Sequence, residues 1–332
     1  MTTFTDFWRG NFNGDGASLG DLFWFTDSGF NAVWLMNGAG SPLAGGQANL
    51  PFTGPTWHEV AAADFNNSGP PFSDILWQND NGAVALWQMA GTTILSQQNL
   101  PNPGSGWHAK FVNDFNTPVS ESADILFQHD LGFLSIWTFA DNGVGGPPTI
   151  TGQFNVVGNP GPTWHAVATG DTVGPGLFDR PSIVFQNDNG LIAIWTVPSF
   201  LNNGTVQFLN QVNLQNVGPT WHVKGMGDFN GDGLSDILFQ NDNGLLAMWE
   251  MGGPLGTTIL SQFNIAQNPG ASWKVVGVRD MNSDGRADIV FQNDNGANAI
   301  WAGFSDATHA FAVQQNIAPN PNSSGHLDWH LV

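Results

Sequence analysis

Two nine-residue stretches carry the densest run of hard oxygen donors in the chain. They read Asp228-Phe-Asn230-Gly-Asp232-Gly-Leu234-Ser-Asp236 and Asp280-Met-Asn282-Ser-Asp284-Gly-Arg286-Ala-Asp288. Oxygen side chains at positions 1, 3, 5 and 9, a glycine at 6 for the sharp turn and a carbonyl at 7 suit a hard divalent cation. We therefore expect calcium on both loops, held by Asp228, Asn230, Asp232, Asp236 and the Leu234 carbonyl, and by Asp280, Asn282, Asp284, Asp288 and the Arg286 carbonyl. A third copy, Asn11, Asn13 and Asp15, has Asn in place of the leading acid, and its Asp21 comes two residues late. The competing reading is a loop of Asx turns without metal. Modules around Asp64/Asn66, Asp114/Asn116 and Asp171 have lost the pattern.

A second set of groups has the makings of a ligand site. Trp-His recurs as Trp57-His58, Trp107-His108, Trp164-His165, Trp221-His222 and Trp329-His330, with Trp273-Lys274 as a variant. Asp80, Asp188, Asp242 and Asp294 recur in a Gln-Asn-Asp context, and Gln-x-Asn closes each module, as in Gln211/Asn213. Indole, imidazole, amide and carboxylate together suit a sugar, whose apolar ring face stacks on Trp while polar groups take its hydroxyls. The alternative is a blade-to-blade hydrogen-bond network, which a repeated fold would copy into every unit. Enzyme chemistry is not expected. The chain has no Cys, no Gly-x-Ser-x-Gly elbow and no glycine-rich phosphate loop, and its His residues lack zinc-site spacing.

The elements that would position these groups follow from one spacing. An acid (Ser182 in one copy), an Asp six residues on and a Trp seven further recur six times, as in Asp236/Asp242/Trp249. Two apolar, β-rich runs joined by Asp-x-Gly read as a tight hairpin. A strand after Trp-His and another ending in Gln-x-Asn make four strands per module. The expectation is an all-β, six-bladed propeller of four-stranded antiparallel blades. Its modules span 1–56, 57–106, 107–163, 164–220, 221–272 and 273–328, and 329–332 closes the ring by pairing with the N-terminal region. Antiparallel pairing then puts Trp-His, the hairpin and Gln-x-Asn at one end. The calcium loops and variable connections such as VPSFLNNGT lie at the other. The third-strand Trps, Trp34, Trp87, Trp137, Trp195, Trp249 and Trp301, read as core filler.

DFNGDGLSDI and DMNSDGRADI resemble the calcium loops of FG-GAP/VCBS repeat proteins, a family that includes integrin α-subunit propellers and propeller lectins of fungi and bacteria. The resemblance implies a β-propeller with calcium on its blade loops that binds carbohydrate or protein. The expected function is a calcium-stabilised, multivalent, lectin-like propeller; the alternative is an adhesion or scaffold propeller that uses its variable loops.

Charge narrows the partners. With 7 Lys+Arg against 27 Asp+Glu, the net charge of −20 disfavours nucleic acid. No apolar run is long enough for membrane insertion. An extracellular or cell-surface location is expected, although no signal peptide is visible in MTTFTDFWRG.

Overall fold

The computed structural model describes residues 10–14, 20–37, 42–67, 72–116, 122–142, 146–173, 181–282, 284–317 and 329–331. Within them the chain is all strand and turn, and no helix is long and apolar enough to cross a membrane. The strands come in fours. β1 (Leu22–Thr26), β2 (Asn31–Met36) and β3 (Pro42–Leu50) are followed by β4 (Trp57–Ala63), β5 (Asp74–Asn79), β6 (Val84–Ala90) and β7 (Thr93–Asn99). Next come β8 (Trp107–Asn113), β9 (Asp124–His129), β10 (Leu134–Phe139) and β11 (Ile150–Val156), then β12 (Trp164–Gly170), β13 (Ser182–Asn187), β14 (Leu191–Leu201) and β15 (Thr205–Asn216). The last groups are β16 (Trp221–Gly227), β17 (Asp236–Asn241), β18 (Leu246–Gly252) and β19 (Thr258–Asn264), then β20 (Trp273–Arg279), β21 (Asp288–Asn293), β22 (Asn298–Ser305) and β23 (Ala310–Asn316). β24 (Trp329–Leu331) takes the edge of the first sheet, where Trp24 pairs with Leu331 and Thr26 with Trp329.

The expectation of six separate blades is corrected. Four sheets have four strands each, but β8–β11 and β12–β15 form one eight-stranded sheet in the order β12-β13-β14-β15-β11-β10-β9-β8. The cause lies in VPSFLNNGT, which is not a loop. β14 and β15 run on to a turn at 202–204, and the start of β15 pairs in parallel with β11, Asn155 with Thr205 and Val156 with Val206. The structure is thus four small antiparallel sheets in a propeller-like arrangement with one fused, larger sheet.

The core lies between consecutive sheets. Phe229, Leu238 and Met248 pack against Ile289, Phe291 and Trp301 of the next sheet, for example. Trp87, Trp137, Trp195, Trp249 and Trp301 are 5–9% exposed. Each leans on an aromatic ring of the adjacent second strand at 4.7–4.9 Å between centroids. Burying an aromatic of this size contributes about 1.5–3 kcal/mol. At the start of most second strands a buried Asp ties the sheet to its own loop. Asp236 accepts from Met251 N–H on the third strand and Phe229 N–H in the loop, and Asp21, Asp74 and Asp124 repeat the arrangement.

The inner strands β4, β8, β12, β16 and β20 share one irregularity. Their register skips a residue after the third position, as between Ala109 and Phe111 and between Val223 and Gly225. Such a β-bulge leaves one residue out of the ladder and re-aims its side chain.

Candidate functional site

Antiparallel pairing gathers the repeated motifs at one end. Among the described residues, the hairpin glycines Gly29, Gly82, Gly132, Gly190 and Gly244 each lie against a glycine of the loop leading to the next inner strand. A Cβ on Gly190 would sit 2.3 Å from the Gly218 carbonyl carbon, and one on Gly82 would sit 2.4 Å from that of Gly104. Both hairpin glycines have φ near +90°, which alone disfavours a side chain. This contact sets each hairpin beside the Trp-His of its own sheet and the entry to the next.

There the His and Asp candidates meet. His58 Nε2 lies 2.7 Å from Asp80 Oδ1, and His165 and His222 make the same contact with Asp188 and Asp242 at 2.7 and 2.8 Å. His108 pairs with Asp130, which the sequence candidates passed over, at 2.8 Å. These pairs are about half exposed, and pairs so exposed contribute roughly 0–1 kcal/mol to stability. In β20, Lys274 stands in place of the histidine across from the turn that carries Asp294, and its Nζ donates to the Ala271 carbonyl. Trp57, Trp107, Trp164 and Trp221 are half-buried. Trp329 and His330 lie on β24, and their side chains fall outside the described residues.

The amides divide cleanly. The Gln of the Gln-Asn-Asp motif is a clamp between neighbours. Gln186 Nε2 donates to the Trp221 carbonyl at 2.5 Å while its Oε1 accepts from Val223 N–H at 3.0 Å. Gln78, Gln128 and Gln240 hold β8, β12 and β20 in the same way. The following Asn is also tied down, as Asn187 is to Thr163 Oγ1 at 2.9 Å. Gln-x-Asn is different: on β7, β11, β15, β19 and β23 both side chains are exposed. The register explains why they face one cleft. Gln211 pairs with Trp195 and Asn213 with Ala193, so both amides project on the tryptophan side of the sheet. Pro160, Trp164, Phe185, Trp195, Gln211 and Asn213 line a cleft of about 290 Å³. A larger cleft, about 400 Å³, opens beside His58, Asn79, Ser105, Trp107, His108 and Lys110.

At the other end, the loop of 228–236 is closed by Asx turns. Asp228 accepts from Gly231 and Gly233 N–H at 2.6 and 2.8 Å, Asn230 from Asp232 N–H, and Asp232 from Leu234 N–H. The loop of 280–288 repeats this: Asp280 accepts from Gly285, Asn282 from Asp284 and Asp284 from Arg286. Arg286 also extends its guanidinium toward Gly231 of the neighbouring loop. Burial raises the Asp236 carboxyl to about 8 and that of Asp288 to about 7, and the neighbouring acids of each loop push in the same direction. The donor chemistry therefore fits a hard cation, which would offset that repulsion. Among the described residues, however, no three acidic or histidine side chains converge as a metal-binding group. In the first copy, Asn11 accepts from Gly14 N–H and Asn13 N–H donates to Asp21, whereas Asp15 lies outside the described residues.

Sequence reasoning missed three features. Asp130 shared the repeat spacing all along. The split between clamping and exposed amides needs the pairing register. Glu59 stands where other inner strands carry Ala or Val, and that lone acid was a visible signal. Both its carboxylate oxygens are sealed from solvent without a hydrogen-bond partner.

Among known families, the FG-GAP-like repeat model matches residues 228–291, from the loop of 228–236 into β21. No curated protein matches the chain significantly.

Proposed function

Taking the chain as an FG-GAP repeat propeller, a fold that points to a binding role, we propose that its ligands are carbohydrates held in the clefts between neighbouring strand groups. One observation carries this reading: exposed Gln211 and Asn213 share the lining of a cleft of about 290 Å³ with Trp164 and Trp195. A pyranose has an apolar face for indole and hydroxyls for amides, which both donate and accept. The same register recurs on the other outer strands, so weak sites add up through multivalency. A glycan array probed with the wild type and with Trp164→Ala and Gln211→Ala tests it. Binding that falls in both variants is expected; an array without any bound glycan removes the reading.

We also propose calcium on the loops of 228–236 and 280–288, supported by their oxygen-rich sequences and by the mutual repulsion of the acids gathered in each loop. Asp228, Asn230, Asp232 and Asp236, and their counterparts Asp280, Asn282, Asp284 and Asp288, would hold it, with the Leu234 and Arg286 carbonyls. The expected outcome is a lower melting temperature in chelator, with Asp232→Ala losing part of that sensitivity. A wild-type melt indifferent to chelator removes the proposal.

One observation favours a protein ligand as a second reading. Phe30 and Phe52 are 57% and 59% exposed and pack together at 5.2 Å between centroids. Exposed paired aromatics suit a protein contact. Pull-down of a partner that is lost in Phe30→Ser and Phe52→Ser but kept in Gln211→Ala would favour it.

A further inference from the structure

Every lysine of the chain stands at the motif-bearing end. The sequence has three, Lys110, Lys224 and Lys274, each one or three residues after an inner-strand tryptophan. Lys110 and Lys224 share a single structural position, the bulge residue of β8 and β16 that the register passes over. The bulge does not require a lysine, since the same position in β4, β12 and β20 is Val60, Val167 and Val276.

Neither lysine makes a hydrogen bond or an ion pair with a described residue, although the chain holds 27 carboxylates. Both are half-buried, and desolvation lowers both pKa values. No nearby charge offsets the burial of Lys110, and a fold with so many acids could have supplied one. Lys110 instead lines the cleft of about 400 Å³ with Trp107, His58, His108, Asn79 and Ser105. Asp80 and Glu59 border the same cleft, but Asp80 Oδ1 is engaged by His58, and the Glu59 oxygens are sealed from solvent with the carboxyl raised to about 8 by burial. Near Lys224 the nearest charges are Lys274 of the next inner strand and Asp242, itself held by His222.

We propose that the cleft at Lys110, and the equivalent bulge position at Lys224, takes the anionic group of an acidic saccharide, a carboxylate or a sulfate, against the lysine ammonium. Trp107 and the imidazoles then flank the sugar ring. This rests on the carbohydrate reading and narrows it to acidic glycans. It also gives a use to the lysine carried by two of the five bulges, where the others carry valine.

The test is calorimetric titration of the full chain with two pairs of probes: an oligogalacturonate beside its neutral methyl ester, and a sulfated oligosaccharide beside its desulfated form. Whichever acid is recognised should bind on the order of tenfold tighter than its neutral counterpart, since a charge-assisted contact is stronger than a neutral one. That advantage should shrink as salt rises. Lys110→Met with Lys224→Met should abolish the advantage, and Lys110→Arg with Lys224→Arg should keep most of it, with unchanged melting curves showing that the variants fold. Equal affinity for acid and neutral forms overturns the inference and leaves the carbohydrate reading standing. An advantage that survives the methionine variants also overturns it. No saccharide bound by the wild type overturns both.

Discussion

Gln186 holds a carbonyl and an N–H of the next inner strand at once, so shortening it removes both bonds and leaves buried backbone groups unpaired. Gln186→Ala should destabilise the fold by about 1–3 kcal/mol, measured by urea denaturation. His165 is the contrasting case. Its contact with Asp188 is half exposed, and His165→Ala should cost no more than about 1 kcal/mol. A larger loss in that variant would assign the imidazole to holding the fold instead of facing ligand. The two substitutions separate what the sequence could not: Gln and Asp recur in one motif, yet only the amide reaches across to a neighbouring strand group.

At the level of strands and turns, the sequence was most legible where local chemistry repeats. The Asp-x-Gly hairpins, the Trp-His strand starts and the tryptophan strands all follow from spacing and turn residues. The fusion of β8–β11 with β12–β15 did not, because it depends on how far one hairpin extends. Pro198 and the Asn-Asn-Gly that follows read as loop punctuation. In the structure, β13 pairs with β14 only as far as Trp195, so Pro198 falls where β14 has a single neighbour and its missing N–H is tolerated. The hairpin glycines give a prediction at this scale. Gly190 has φ +89° and no room for a Cβ against Gly218. Gly190→Ala should therefore lower the melting temperature more than Gly204→Ala, whose Cβ would meet nothing within 4 Å although its φ is +79°. Equal losses would mean that dihedral strain alone, and not the glycine contact, governs these turns.

Across the whole molecule, buried acids tie stability to pH, and Glu59 and Asp74 lie outside the 228–236 and 280–288 loops. Burial raises Glu59 from 4.5, and Asp74 from 3.8, to about 8 in each case, with the Arg279 charge partly opposing the shift at Glu59. An unfolded chain releases these protons near pH 4 while the folded chain keeps them to about 8. Their contribution is thus full below pH 4 and is lost as pH climbs through 8. The melting temperature should fall from pH 5 to pH 9, and Glu59→Gln should flatten part of that slope; identical slopes would dissociate Glu59 from it. The parallel bridge between β11 and β15 bears on the molecule in another respect. Neighbouring small sheets hold each other through the glutamine clamps, apolar contacts and single loop bonds such as Ala287 N–H to the Asp228 carbonyl, whereas this junction continues the strand ladder itself. Pulled apart by its two ends, the chain should shed the small sheets one by one under low force. The fused sector should then yield as a single, longer and stiffer step.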